Sequence, residues 1–348
     1  MSFAGKKALL TASLLLVFSL LRAEAQGVFY KGGHGPGHGK NVVLLAGDDG
    51  EYHSEEALPQ LAKILAVREG FDCTVLFPLD PDGTINPHQN RDLQGLEALK
   101  KADLVVLFIR WRDLPDAQVK ALLDYVQSGR PILAIRTGTH PLQLRSSNTY
   151  ARWSWDSKEP GWEGGFGRKV LGETWVAHHG HHGQQSTRAW FAPGAESSPM
   201  LRGIRSGEIW VPTEVYEIRL PMPPTCHVLL LGQVLSGLKP DDAAVQGALN
   251  DPMMPVAWTN SYQVPNGKTA RVVTTTMGAA DDLLSDSLRR LLVNASLWSV
   301  GRETKISAQL NVDLVGEYHP HSYLSETYTR NVKPADLALT SKQERKAR

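Results

Sequence analysis

The chain alternates between short, wholly apolar runs and amphipathic stretches, and that alternation predicts a fold. Asn41-Val-Val-Leu-Leu-Ala46 and Asp103-Leu-Val-Val-Leu-Phe-Ile109 have no polar face, as expected of strands covered on both sides. Phe71-Asp-Cys-Thr-Val-Leu-Phe77 alternates instead, placing Phe71, Cys73, Val75 and Phe77 on one face of a strand. Pro131-Ile-Leu-Ala-Ile135 makes a fourth strand. Between them, Leu58, Leu61, Ile64 and Leu65 recur at helical spacing, with Ser54 as N-cap, Pro59 where the regular part begins and Gly70 as the stop. Pro115 opens a second helix with an apolar face of Val119, Leu122, Leu123 and Val126, closed by Gly129. Strand, helix, strand, strand, helix, strand predicts a doubly wound, mostly parallel α/β sheet.

Residues 137–184 lose this periodicity and are rich in Gly, Trp and His. Further strands are expected over 209–220, 227–231, 255–259 and 271–276, then a closing helix over 283–300 with Leu284, Leu288, Leu291, Leu292 and Ala295 inward. The expectation is one α/β domain, decorated by insertions at 141–184 and 236–254. Residues 26–40 read as a Gly/His-rich linker, too flexible to preorganise His34 and His38 as metal ligands. Residues 303–348 read as an extension ending, from Arg330, in a frayed basic tail.

The first 25 residues carry a different pattern. Lys6 and Lys7 precede an apolar run over 8–21, and Ala23-Glu-Ala25 offers the small residues of a cleavage site. That run is short for a membrane span, so it reads as a signal peptide; an uncleaved anchor is the alternative. The expected product is exported, periplasmic or extracellular, with no stable membrane insertion after cleavage. Of its two cysteines, Cys73 sits on the apolar face of a strand, which favours a buried thiol over a Cys73–Cys226 disulfide.

Composition narrows the function. Lys plus Arg total 37 and Asp plus Glu 36, so no basic field exists to hold nucleic acid. Hydrophobic residues at 42% and charged residues at 21% describe a globular chain. Ligands of open α/β sheets bind beyond the carboxyl ends of the strands. That rule selects Gly47-Asp-Asp-Gly-Glu-Tyr-His53, Arg110-Trp-Arg-Asp113, Arg136-Thr-Gly-Thr-His140 and the His-rich stretch after them. Arg136 ends a buried strand and needs an anionic partner, either Asp48, Glu51 or a ligand oxygen. Alternation sends Arg110 and Arg112 to one side, toward a polyol or anionic ligand. His178-His-Gly-His-His182 concentrates imidazoles, so His178, His179 and His182 are candidate ligands for a divalent transition metal such as zinc. His53, His140 or Glu173 would complete the set; hydrogen-bonded loop histidines are the alternative. The turn after the fourth strand holds no Cys, no Ser and no first Gly, which excludes thiol-based amide hydrolysis; Thr137 or Thr139 beside His140 is the remaining nucleophile, a role threonine rarely takes outside an N-terminal-amine context. Trp153, Trp155 and Trp162 are candidate walls of an aromatic-lined cleft.

Taken in order, these motifs resemble the ThuA-like (trehalose utilisation) family of the class I glutamine amidotransferase-like superfamily. The resemblance runs from about Lys40 to Arg302. It is carried by 42–53, the strand from Ala102, 129–140, 166–179, Pro199-Met-Leu-Arg-Gly203, Glu214-Val-Tyr216 and Pro255-Val-Ala-Trp-Thr259. Its most specific part is Thr269-Ala-Arg-Val-Val-Thr-Thr-Thr-Met-Gly278 followed by Arg290-Leu-Leu-Val-Asn-Ala-Ser-Leu-Trp298. The resemblance implies a flavodoxin-like sheet with a site over the turn at Arg136, where family members commonly show His. It makes His178 the best-carried site position and adds Glu214 and Tyr216 as substrate-binding candidates. It implies a carbohydrate ligand and a role in disaccharide metabolism. The expected protein is a sugar-modifying hydrolase or isomerase with His140, His178 and Glu51 as catalytic groups. Asp48, Arg110, Arg112, Arg136 and Trp153 would bind substrate. A non-catalytic glycan-binding or scaffold protein on the same fold is the alternative.

Overall fold

The computed structural model describes residues 26–265 and 267–340; the expected signal peptide at 1–25 and the last eight residues lie outside them. In chain order the strands are β1 (Gly27–Tyr30), β2 (Asn41–Gly47), β3 (Asp72–Leu76), β4 (Leu104–Ile109), β5 (Ile132–Ile135) and β6 (Ala177–His178). They continue as β7 (Ser186–Phe191), β8 (Ile209–Val211), β9 (Tyr216–Glu217), β10 (His227–Leu235), β11 (Met254–Gln263) and β12 (Thr269–Thr275). The α-helices are α1 (Ser54–Val67), α2 (Asp116–Gln127) and α3 (Asp286–Ser299). Ten strands form one mixed sheet in the order β1-β3-β2-β4-β5-β12-β11-β10-β7-β8, and β6 pairs with β9 apart from it. The strands β3-β2-β4-β5-β12 run parallel, and the pairings outside that block are antiparallel.

The apolar runs explain the layering. Alternate residues of β2 feed opposite cores: Val42, Leu44 and Ala46 pack with α1 and α3, whereas Val43 and Leu45 pack with α2. On β3, Phe71, Cys73, Val75 and Phe77 share one core as the alternation predicts, and Leu76 enters the other. Both cysteines are free thiols. Among the described residues, no helix is long and apolar enough to cross a membrane.

Three local expectations are corrected. Helix α1 begins at Ser54, ahead of Pro59, and its N-cap is His53 in a left-handed conformation (φ 55°). Ser54 Oγ does not cap it; the hydroxyl is taken by Gly47 N at 2.9 Å and Asp48 Oδ1 at 2.7 Å. The glycine-rich stretch at 26–40 is packed chain, not a solvated linker. It opens with β1 on the sheet edge, and a Cβ on Gly32 would lie 2.3 Å from the Gly70 carbonyl oxygen. Gly27, Gly32 and Gly35 serve close backbone approach rather than flexibility. The C-terminal extension wraps the core through residue 340 in place of fraying from Arg330. Tyr318 donates to Ala280 O at 2.7 Å, Ile85 N to Val332 O at 2.8 Å, and Tyr30 to Leu337 O at 2.9 Å.

The register brings the carboxyl ends of the parallel strands level, with Gly47 opposite Ile109, Leu107 opposite Ala134 and Ile135 opposite Thr275. The loops after β2, β4, β5 and β12 therefore emerge side by side. Gly32→Ala is expected to lower stability by about 1–3 kcal/mol through overpacking, measured by urea denaturation. A solvated linker would instead tolerate the substitution or gain slightly from it.

Candidate functional site

At that edge the chain leaves the extended conformation abruptly. Trp111 and Arg136 both adopt φ 47°, in the left-handed region that non-glycine residues seldom occupy. Such strain persists only where surrounding contacts hold it, and it often marks a working site. At Arg136 the hold is visible. Its guanidinium donates Nη2 to Glu214 Oε1 at 2.7 Å, and Nη1 to Glu214 O at 2.9 Å and Thr276 O at 2.6 Å. It also lies between the rings of Tyr52 (4.3 Å) and Tyr216 (4.0 Å). Neither side chain of the ion pair has any exposed surface.

Glu214 gathers the rest. Tyr52 donates to its Oε1 at 3.2 Å, His178 Nδ1 lies 2.9 Å from Oε1, and His182 Nδ1 lies 3.2 Å from Oε2. The short β6–β9 ladder sets this up, because His178 sits in register with Tyr216, two residues from Glu214. Burial alone would raise the Glu214 carboxyl, but Arg136 and the two imidazole hydrogen bonds hold it well below the usual carboxylate range. The Glu214 hydrogen bond in turn raises His182. The side chains of His178 and His182 are 41% and 36% exposed, so each keeps one edge on solvent while Nδ1 binds the carboxylate. The nitrogens of an imidazole diverge, which directs Nε2 away from Glu214.

Aromatic rings surround the imidazoles. Trp111, Trp155 and Trp175 lie with centroids 5.4–6.1 Å apart, Trp175 is 5.9 Å from His178, and Tyr323 is 5.3 Å from His182. Arg110 lies over Trp111 at 3.9 Å and pairs with Glu51 at 2.8 Å on the rim.

The family described as ThuA, trehalose utilisation, matches residues 41–299, three quarters of the sequence. The chain belongs to the ThuA family. It is similar to a solved ThuA-like protein from Bacteroides uniformis, 16% identical at a TM-score of 0.49, covering 81% of this chain and 100% of that one. A second, from Parabacteroides merdae, is 16% identical at a TM-score of 0.48, covering 75% and 90%. No curated protein matches the chain significantly.

Of the residues expected at the site of this ThuA chain, Glu51, Arg110, Arg136, His140, His178, His182, Glu214 and Tyr216 gather around the buried pair. The partner of Arg136 is Glu214, not Asp48 or Glu51. Asp48 is buried and consumed by its own loop, accepting from Ser54 Oγ (2.7 Å), Ser54 N (3.1 Å) and Tyr52 N (2.6 Å). Arg112 does not share a side with Arg110: the left-handed turn at Trp111 breaks the alternation. Its buried guanidinium donates to Gly47 O, Pro87 O and Gln89 O, and burial pulls it down to about 10. His140 is buried beneath Trp175 (5.2 Å) and held neutral, with burial, Arg110 and Arg136 all pushing it well below the ordinary imidazole value.

Trp153 lies off the cluster, packing on Trp162 at 4.8 Å, so Trp155 is the expected tryptophan that reaches the imidazoles. His179 turns away to Leu249 O at 2.8 Å, His53 to Ser322 O at 3.1 Å, and Glu173 to Arg168 at 2.9 Å. Tyr52 and Trp175 were legible only as members of the right segments, and nothing in the pattern pointed to Tyr323.

His178, His182 and Glu214 offer ligand atoms within 4.8 Å of one another, a two-histidine, one-carboxylate set that suits a divalent transition metal. Glu214 Oε1 is taken by Arg136, Tyr52 and His178, whereas Oε2 meets only His182 among the described residues. The three side chains present fit such an ion.

Glu214→Gln is expected to lower stability at pH 7 by about 3–5 kcal/mol, because a buried guanidinium loses its counter-charge. The depressed carboxyl contributes in full above the unfolded value of about 4.3, and its contribution is lost as pH falls from there toward the folded value. Urea denaturation of both proteins between pH 7 and pH 3 should therefore show the difference between them shrinking at the acid end.

Proposed function

We propose that this protein modifies a carbohydrate of the disaccharide type, with His178 as the proton-transferring group and Glu214 orienting its ring. The observation that carries the reading is the pair of imidazoles, bound through Nδ1 to one buried carboxylate and edged by solvent between aromatic rings. Indole and phenol faces stack against the apolar faces of sugars, and imidazole Nε2 serves as acid or base near neutral pH. His182, raised by the same carboxylate, is suited to hold the second proton. Glu51 and Arg110 lie on the rim, where sugar hydroxyls would be bonded. Arg136 occupies the sharp turn after β5 and leaves no Cys or Ser nucleophile there, only the buried hydroxyls of Thr137 and Thr139. The family's description, trehalose utilisation, supports the substrate class.

The order of the parallel strands, second-first-third-fourth-fifth along the chain, supports a flavodoxin-like, doubly wound half. The amino-terminal pattern supports export. A zinc-type ion held instead by His178, His182 and Glu214 would polarise a substrate oxygen or acidify a water, in place of proton transfer by His178. A non-catalytic glycan-binding protein is the second reading, favoured by the guanidinium at the turn.

The test is to incubate purified protein with trehalose and other disaccharides, with and without added zinc, and to follow products by NMR. The expected result is turnover by the native protein and a loss of 100-fold or more, roughly the worth of a general acid–base group, in His178→Ala with an unchanged melting temperature. Binding without turnover under every metal condition supports the glycan-binding reading and overturns the enzymatic one.

A further inference from the structure

We infer that the C-terminal extension completes the candidate site by positioning His182: the ring of Tyr323 holds that imidazole against Glu214, and the site is incomplete without it. The inference rests on the place given to His182 in the function proposed above. It asks for no ligand contact with Tyr323, which is buried.

The two imidazoles are held differently. His178 belongs to the β6–β9 ladder, in register with Tyr216, and its Nδ1 is 2.9 Å from Glu214 Oε1. His182 lies in the turn between β6 and β7, outside any strand, and its Nδ1 is 3.2 Å from Oε2. The backbone there is tied only through His181, whose carbonyl accepts from Gln184 N at 3.1 Å and Gln185 N at 3.0 Å, and Gly183 follows at φ 72°. A side chain on such a turn keeps a hydrogen bond at the long end of the normal range only where its neighbours restrict its rotation.

Two phenol rings supply that restriction. Tyr52 lies 6.2 Å from His182 with the planes at 74°, and Tyr323 lies closer, at 5.3 Å and 88°. Perpendicular contact at these distances is a favoured aromatic geometry. Tyr323 also stacks on Tyr52 at 6.3 Å with the planes 14° apart, so the ring whose hydroxyl donates to Glu214 shares the same support. The next residue of the extension reaches the turn as well: a Cβ on Gly183 would lie 3.1 Å from Leu324 Cδ2.

Tyr323 can serve as a support because its own place is fixed elsewhere. Its N–H donates to Asp281 Oδ2 at 3.1 Å, Ser322 O lies 3.1 Å from His53 Nε2, and His321 contacts Glu56 through N (2.8 Å) and Nδ1 (2.6 Å). These anchors lie on the loops after β2 and β12 and on α1. The Tyr323 hydroxyl has no hydrogen-bond partner among the described residues, so the ring and not the oxygen does the holding. Tyr323 stands outside the segment that matches the family, so this support belongs to the extension.

The test is solvent exchange of the Nδ1 proton of each imidazole, read by proton–nitrogen NMR on the full chain labelled at histidine. The hydrogen bond to Glu214 protects that proton, and His178 is the internal control. Tyr323→Leu keeps an apolar side chain in place without a ring. It should speed exchange at His182 about five- to tenfold, the worth of one aromatic pair, and leave His178 unchanged. Tyr323→Phe should behave as the native protein does. Nuclear Overhauser contacts between the His182 and Tyr323 rings, which need no variant, should be present in the native protein. Equal His182 exchange in the native protein and Tyr323→Leu, equal acceleration at both histidines, faster exchange in Tyr323→Phe, or absent ring contacts overturns the positioning. Trehalose turnover is followed on the same samples: a native protein that turns over nothing overturns the function proposed above, while the exchange result still decides this inference.

Discussion

A guanidinium and a carboxylate without exposed surface persist in a protein interior only when each neutralises the other and their remaining hydrogen-bonding atoms find partners. Arg136 and Glu214 meet that condition, and meeting it dictates the geometry around them. The guanidinium reaches across from the end of β5 to the segment before β9, from a turn in which Arg136 is left-handed. Its donors also tie down Thr276 at the end of β12. Three separate parts of the chain are thereby locked at one point, with Tyr52 and Tyr216 shielding the pair from water. What remains of the carboxylate faces outward and can accept from imidazoles. The ion pair is structural, yet the orientation of His178 and His182 depends on it.

Much of the parallel half of the fold was legible because its signal is local. Wholly apolar runs at Val42–Ala46 and 104–109, and the alternation of Phe71, Cys73, Val75 and Phe77, follow from strands covered on two faces, and the structure buries them so. The antiparallel half was less legible. Strand β7, Ser186–Phe191, mixes Ser, Thr, Arg and Trp without clean alternation, and β6 is only two residues long. Glycine content misled at 26–40, since glycine demanded by a close backbone contact and glycine in a solvated linker look alike in a sequence. The extension misled for a related reason: its apolar residues Ile306, Val312 and Val315 are too sparse to show periodicity, yet each finds a buried place on a surface already built.

The site was legible in composition and not in pairing. Strand-end loops and a histidine cluster identified where chemistry would gather, because an open sheet directs its loops to one edge. Which carboxylate met Arg136 depended on the path of the chain after β5, some eighty residues of it, and no local rule carries that distance. Arg112 illustrates the same limit from the other side. Its neighbour Arg110 stays on the rim, and a single left-handed residue between them sends Arg112 into the interior.

The buried ion pair holds two imidazoles with one edge on solvent, and the function proposed above seats a sugar there. A crystal structure of the protein soaked with trehalose tests it most directly. Sugar oxygens should lie within hydrogen-bonding distance of Nε2 of His178 or His182, with the Arg136–Glu214 contact intact behind them. Trehalose seated elsewhere, for instance on the Trp153–Trp162 pair with both imidazoles unengaged, would contradict it.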